Sequence, residues 1–399
     1  MTASLPADGA REYAPLAPTV RTLLGPGPSD VDPGVLRALA LPTIGHLDPE
    51  FLRTMDEARG MLACLWNASA GRSTPISATG SAGMETCVVN LVEPGDRVLI
   101  GVHGVFGGRM AEVCRRAGAE VTTVEAPWGE PIPLEQMRTA AAGGSFRLVG
   151  IVHAETSTGV LQSLEGFREL CDDLGALLLV DAVTSLAGHP VDVDAWGIDA
   201  LYSGTQKCLS CPPGLSPVYF SERALERLAQ RQTPVQSWYL DLSLIEGYWG
   251  GERAYHHTAP INMLFAFHEA LRQVHAEGLE ARYARHRLHA EALWAGLEAL
   301  GLELRVAREH RLHPLTAVSI PDGVHDAEVR AELLRDWSLE IGGGLGPMKG
   351  NTWRIGLMGA GSTRRNVELC LTALKAALAR RGHRGPADPL DAAATRYDA

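Results

Sequence analysis

The chain contains no run of about 18 apolar residues, so no membrane span is expected. No second cysteine pair or histidine cluster accompanies Cys208-Leu-Ser-Cys211, which leaves a zinc site short of ligands. That CxxC follows a lysine and precedes Pro212-Pro213, a poor setting for redox work, so packing is its plainer account. The cysteines number 7, an odd count, and most sit among apolar residues, which points to reduced thiols rather than a disulfide framework. Met1 to Tyr13 is polar without an apolar signal core, and Arg396-Tyr-Asp-Ala399 is not a peroxisomal address; a cytoplasmic protein is expected. Positive charge is also scarce, with Lys+Arg 36 against Asp+Glu 47 and a net charge of −11. An acidic surface repels phosphate backbones, so nucleic acid is not an expected partner, although a local basic pocket for a small anion stays open.

What is present fits a two-domain enzyme subunit: 399 residues, 46% hydrophobic and 21% charged, enough to bury a large core. Residues 1–24 show no clear period and read as an arm, expected to pack on a partner subunit. Leu24-Gly-Pro-Gly-Pro28 is rigid turn backbone. From about 76, apolar runs (Val98–Val102, Leu148–Val152, Ala176–Val180) alternate with helical stretches at 83–92, 107–117 and 162–174. Strands apolar throughout are buried on both faces, so the fold class is α/β with a mostly parallel, doubly wound sheet. The pattern over 261–300 is helical and leads into a smaller α/β domain. The expected division is a large domain over 25–265, a small C-terminal domain over 266–382 and a fraying tail over 383–399.

Leu177-Leu-Leu-Val-Asp181 is an apolar strand that delivers one carboxylate at its C-terminal end, where open α/β sheets bind ligands. Alone, Asp181 is better explained as a cap of the following segment. Ser203-Gly-Thr-Gln-Lys207 follows the next strand, 198–202, and sets one lysine among small uncharged residues. A lysine in a dry pocket has a lowered pKa and can form a Schiff base. Together, an acid ending one strand and an amine 26 residues on, after the next strand, are what pyridoxal phosphate chemistry requires. Thr79-Gly80-Ser81 precedes an apolar helix and offers hydroxyls and free N–H groups to a phosphate, although Ser81 with Glu85 equally suits simple capping. The lack of GxGxxG there speaks against a dinucleotide-binding reductase. Phe106 follows the strand 98–102 and could stack on a planar ring or pack in the core. Thr156 and its neighbours bring hydroxyls to the end of the strand 148–153. Arg354 stands in an apolar setting, suited to clamp a carboxylate or form an ordinary ion pair.

In this order the motifs resemble the class V aminotransferases of fold type I, above all alanine–glyoxylate and serine–glyoxylate (serine–pyruvate) aminotransferases. The likeness rests on Leu24-Gly-Pro-Gly-Pro-Ser29, Glu93-Pro-Gly-Asp96, Glu155–Val160, Leu179-Val-Asp181, Tyr202-Ser-Gly-Thr-Gln-Lys207, Tyr255-His-His-Thr258 and Arg354-Ile-Gly356, and it runs from Leu24 to about 375. The resemblance implies Lys207 as the Schiff-base lysine and Asp181 as the pyridinium partner. It implies Phe106 and Val183 on the two ring faces, Thr156 near the ring hydroxyl, and Thr79, Gly80, Ser81 and Gln206 at the phosphate. Tyr255 and Thr258 would reach that phosphate from the other subunit of a homodimer. Arg354 would bind the substrate carboxylate, with Gly25 lining the substrate end and His46 either lining it or serving the structure.

The resemblance further implies a ping-pong transamination from alanine or serine to glyoxylate, giving glycine and pyruvate or hydroxypyruvate. Related reactions, with pyruvate as acceptor or a ureidoglycine- or aminophosphonate-type donor, are the alternative. The ureidoglycine branch carries Gln at the place of His46 and Asn at the place of Tyr255, which argues against that donor here. Cysteine desulfurases place His before the lysine, where this chain has Gln206. A non-catalytic ligand-binding subunit is the competing class.

Overall fold

The computed structural model describes residues 14–398. Most of the expected arm therefore lies outside the described residues, together with the Met1–Tyr13 segment and the last residue. The end of the arm does not stand apart from the folded chain: Thr22–Leu24 forms a strand parallel to Leu339–Gly343. Leu24 is fully buried there, which is what holds the segment.

The main sheet has seven strands. From edge to edge they are Arg72–Ile76, Ser216–Phe220, Ala200–Tyr202, Leu177–Asp181, Leu148–Val152, Arg97–Val102 and Glu120–Glu125. All are parallel except Ser216–Phe220, which is antiparallel to both its neighbours. The strands Leu148–Val152 and Leu177–Asp181 are buried at every position, as their unbroken apolar runs predict. A second sheet of four strands is built from Thr22–Leu24, Leu339–Gly343, Thr352–Gly356 and Leu315–Ser319. Each sheet has its own hydrophobic cluster, one centred on Leu177–Val180 and the other on Trp353, Ile355 and Leu371. The chain is thus a mixed α/β protein with a parallel-rich main sheet.

Several local expectations change. The helix expected over 162–174 spans only Phe167–Leu174, because Gly166 turns left-handed (φ 79°) and Val160–Leu161 pairs with Ala154–Glu155. The helical stretch over 261–300 is two helices, Ile261–Glu277 and Leu279–Ala299, parted at Gly278 (φ 83°). The tail contains a further helix. Asp388 caps a helix at Pro389–Tyr397, accepting from the N–H groups of Leu390 and Asp391. That helix buries Ala393 and reaches the helix Leu279–Ala299 through Tyr397 Oη and His289 Nδ1, 3.0 Å apart.

Candidate active site

The C-terminal ends of the parallel strands converge on one cavity of about 100 Å³. Its walls include Gly80, Ser81, Phe106, Thr156, Asp181, Val183, Gln206 and Lys207. Asp181 is 2% exposed. Its two oxygens accept from the Val183 N–H (2.8 Å) and the Tyr202 hydroxyl (2.7 Å). Burial pushes its pKa from 3.8 up to about 6, against the pull of those two donors. Lys207, 7% exposed, is likewise dominated by burial, which lowers its pKa from 10.5 to about 8. Its ammonium donates to the Pro26 carbonyl. The glycine turn that carries Pro26 must be bare: a Cβ on Gly27, at φ 106°, would stand 2.8 Å from Lys207 Nζ.

The phosphate-type end is the start of the helix Gly80–Leu91. Thr79 is its N-cap and makes no side-chain capping bond, and Ser81 lies inside the helix rather than at the cap position expected of it with Glu85, so the terminus keeps free donors. Gln206 Oε1 is buried without a hydrogen-bond partner nearby. Val183 packs close to Gly80, its Cγ2 3.6 Å from where a Cβ would sit. Arg354 does not itself wall the cavity, but its guanidinium donates to the carbonyl of Thr156 (3.1 Å), a wall residue, and to that of Gly343 (2.8 Å). Gly25 packs against the same strand, its carbonyl 2.2 Å from where a Cβ on Gly356 would lie.

Three expected residues are not brought to this cavity by their own chain. Tyr255 is 63% exposed, its hydroxyl 3.4 Å from that of Thr258, and its ring centroid lies 5.3 Å from that of His46. The three form a separate surface group.

Sequence reasoning left Glu155 without a role. Fully buried, it accepts from the N–H groups of Phe106 (3.0 Å), Gly107 (3.4 Å) and Ser157 (3.0 Å) and from the Ser157 hydroxyl (2.6 Å). Those bonds fix the start of the helix Val105–Arg116 and so the Phe106 ring. Its only advance signal was its place in the Glu155–Val160 motif.

Arg282 was also missed. Buried at the start of the helix Leu279–Ala299, it donates to the carbonyls of Ala187 (2.9 Å) and Cys208 (2.5 Å) and pairs with Glu277 (2.5 Å). It therefore ties the loop after Asp181 to the residue after Lys207. Arg282→Met strands two buried carbonyls and removes the pair with Glu277, which keeps Arg285. The expected loss is about 3 kcal/mol in denaturant unfolding; a loss below about 1 kcal/mol would mean the loops are held otherwise.

Fold and site together define a fold type I transaminase, and comparison with known proteins agrees. The family model described as Aminotransferase class-V matches residues 36–346. An alanine–glyoxylate aminotransferase from Oryctolagus cuniculus is 40% identical over 368 residues, covering 91% of this chain and 94% of its own. The (S)-ureidoglycine–glyoxylate transaminase of Bacillus subtilis is 39% identical over 390 residues, 93% of each chain. The crystal structure of an alanine–glyoxylate aminotransferase from Nostoc sp. superposes with a TM-score of 0.91 at 49% identity, covering 92% of this chain and 97% of that one. The chain belongs to the class V aminotransferase family and is an aminotransferase, an enzyme acting on amino acids and 2-oxo acids.

Proposed function

We propose that the enzyme transfers an amino group from a small L-amino acid, alanine or serine, to glyoxylate, with pyridoxal 5'-phosphate as cofactor. One observation carries this reading: a buried carboxylate, Asp181, and a buried amine, Lys207, wall the same cavity. The residues present suit the cofactor. An uncapped helix start stands at one end, and a buried acid waits for a cation at another. Pyridoxal phosphate supplies an aldehyde that condenses with amines and a ring that accepts the electrons released at the substrate Cα.

The chain's residues do the rest. Asp181 would keep the ring nitrogen protonated, with Tyr202 and Val183 orienting its carboxylate. Thr79, Gly80, Ser81 and Gln206 would hold the phosphate. Phe106, set by Glu155, and Val183 would pack on the ring, with Thr156 toward its hydroxyl. Lys207 would hold the cofactor, and its free amine would move the substrate Cα proton, a task its lowered pKa suits at neutral pH. Arg354 binds the substrate carboxylate, and the Gly25–Gly27 turn closes that end. Tyr255 and Thr258, exposed in their own chain, complete the phosphate site of a second copy, with His46 beside them, so the active unit is a homodimer.

Arg354 is assigned to the α-carboxylate; among the described residues Arg330, beside Gly343, is paired with Asp326, so no second arginine is assigned to meet a distal carboxylate. In a panel of donors with glyoxylate, alanine or serine should therefore exceed glutamate and aspartate in kcat/KM by roughly 10-fold or more, the cost of an unpaired carboxylate. Strong glutamate activity with little from alanine or serine would overturn the donor assignment, as would preference for (S)-ureidoglycine.

A further inference from the structure

The phosphate end as described holds a dianion with neutral groups alone. A phosphate ester carries about −1.5 to −2 charges at pH 7. A helix N-terminus supplies about half a positive charge. Thr79, Ser81 and Gln206 supply dipoles. The other cations near the cavity are committed elsewhere: Lys207 to the Pro26 carbonyl, Arg354 to the carbonyls of Gly343 and Thr156.

One further cation walls the cavity. Arg109 lies one turn beyond Phe106 on the helix Val105–Arg116. Its guanidinium carbon sits 5.0 Å from the Phe106 ring centroid, and its Nη1 is 3.4 Å from the Ser81 hydroxyl. It forms no ion pair among the described residues, whereas Arg168, Arg253 and Arg285 are each paired with carboxylates. A guanidinium resting on an aromatic face keeps its N–H edge free, and that edge matches two phosphate oxygens.

We propose that Arg109 is a phosphate-binding residue, supplying the counter-charge that the Thr79–Ser81 cradle lacks while bracing the Phe106 ring from the same position. The proposal rests on the cofactor reading above. It makes recognition of the phosphorylated cofactor, against its unphosphorylated form, depend on one exposed side chain outside the glycine-rich motif.

Equilibrium dialysis of cofactor-free protein against pyridoxal phosphate and, separately, pyridoxal tests it. Arg109→Met keeps a long side chain against Phe106 but removes the charge. It should weaken pyridoxal phosphate binding roughly 10- to 100-fold, as loss of a charge-assisted contact does, and change pyridoxal binding less than about 2-fold. Arg109→Lys should recover part of the difference, and added salt should narrow the gap between wild type and Arg109→Met. Equal losses for both ligands would reduce Arg109 to a packing partner of Phe106 and overturn the proposal, as would unchanged binding of both. Failure of the wild-type protein to take up either ligand would instead overturn the cofactor reading itself.

Discussion

Lys207→Ala is expected to lose transamination by at least about 10⁴-fold, the upper range for removing one positioned acid–base group, because the same side chain also anchors the cofactor. The amine is nearly enclosed, and burial brings its pKa to about 8. Roughly a tenth of it is then neutral at pH 7, against less than a thousandth for an exposed lysine. Alanine leaves a gap beside Pro26 and Gly27, so the fold should persist with an unchanged melting temperature to within a few degrees. A small amine such as methylamine should restore part of the rate by occupying that gap and taking the Cα proton. Turnover near the wild-type level without added amine would remove Lys207 from the mechanism.

Asp181→Asn should separate stability from function. Asparagine can keep both local bonds, since the Tyr202 hydroxyl can reverse and accept from the amide. What disappears is the charge. Removing one partner of a buried ion pair costs about 3 kcal/mol, which is roughly a hundredfold in rate or in cofactor affinity. In cofactor-free protein the sign reverses. The folded-state pKa of Asp181, about 6, lies above its ordinary 3.8, so folding favours the protonated acid. That advantage is complete below pH 3.8 and is lost as pH rises through about 6, where a bare charge is left buried. Asp181→Asn should therefore melt above the wild type at pH 7–8, with the gap opening between pH 4 and 6 and holding constant beyond. A variant that retained full turnover, or that melted below the wild type at pH 8, would contradict this account.

The parts of the site legible in the sequence share one property: the signal is local. Leu177–Asp181 announces a buried strand ending in an acid, and Ser203–Lys207 sets one amine among small residues after the next strand. What stayed hidden depends on distant partners. Glu155 meets Phe106 across 49 positions and Arg282 meets Cys208 across 74, so neither shows its task in its neighbours. Arg109 looks like any surface arginine until the helix start at Gly80 is placed beside it. In the fold, Arg72–Ile76 and Ser216–Phe220 escaped notice because each contains a proline, and Pro75 pairs with Pro217 in the sheet. The C-terminal helix was discounted on composition, although Asp388-Pro389 is a sound start signal.

Lys207 is the amine assigned to engage the cofactor, and the chain is well suited to a direct test because it has only three lysines, Lys207, Lys349 and Lys375. The latter two are exposed. Incubation with one equivalent of pyridoxal phosphate, borohydride reduction and peptide mapping should find a single pyridoxyl group, on Lys207. Label confined to Lys349 or Lys375, or no stable label on folded protein, would contradict the assignment of the cavity.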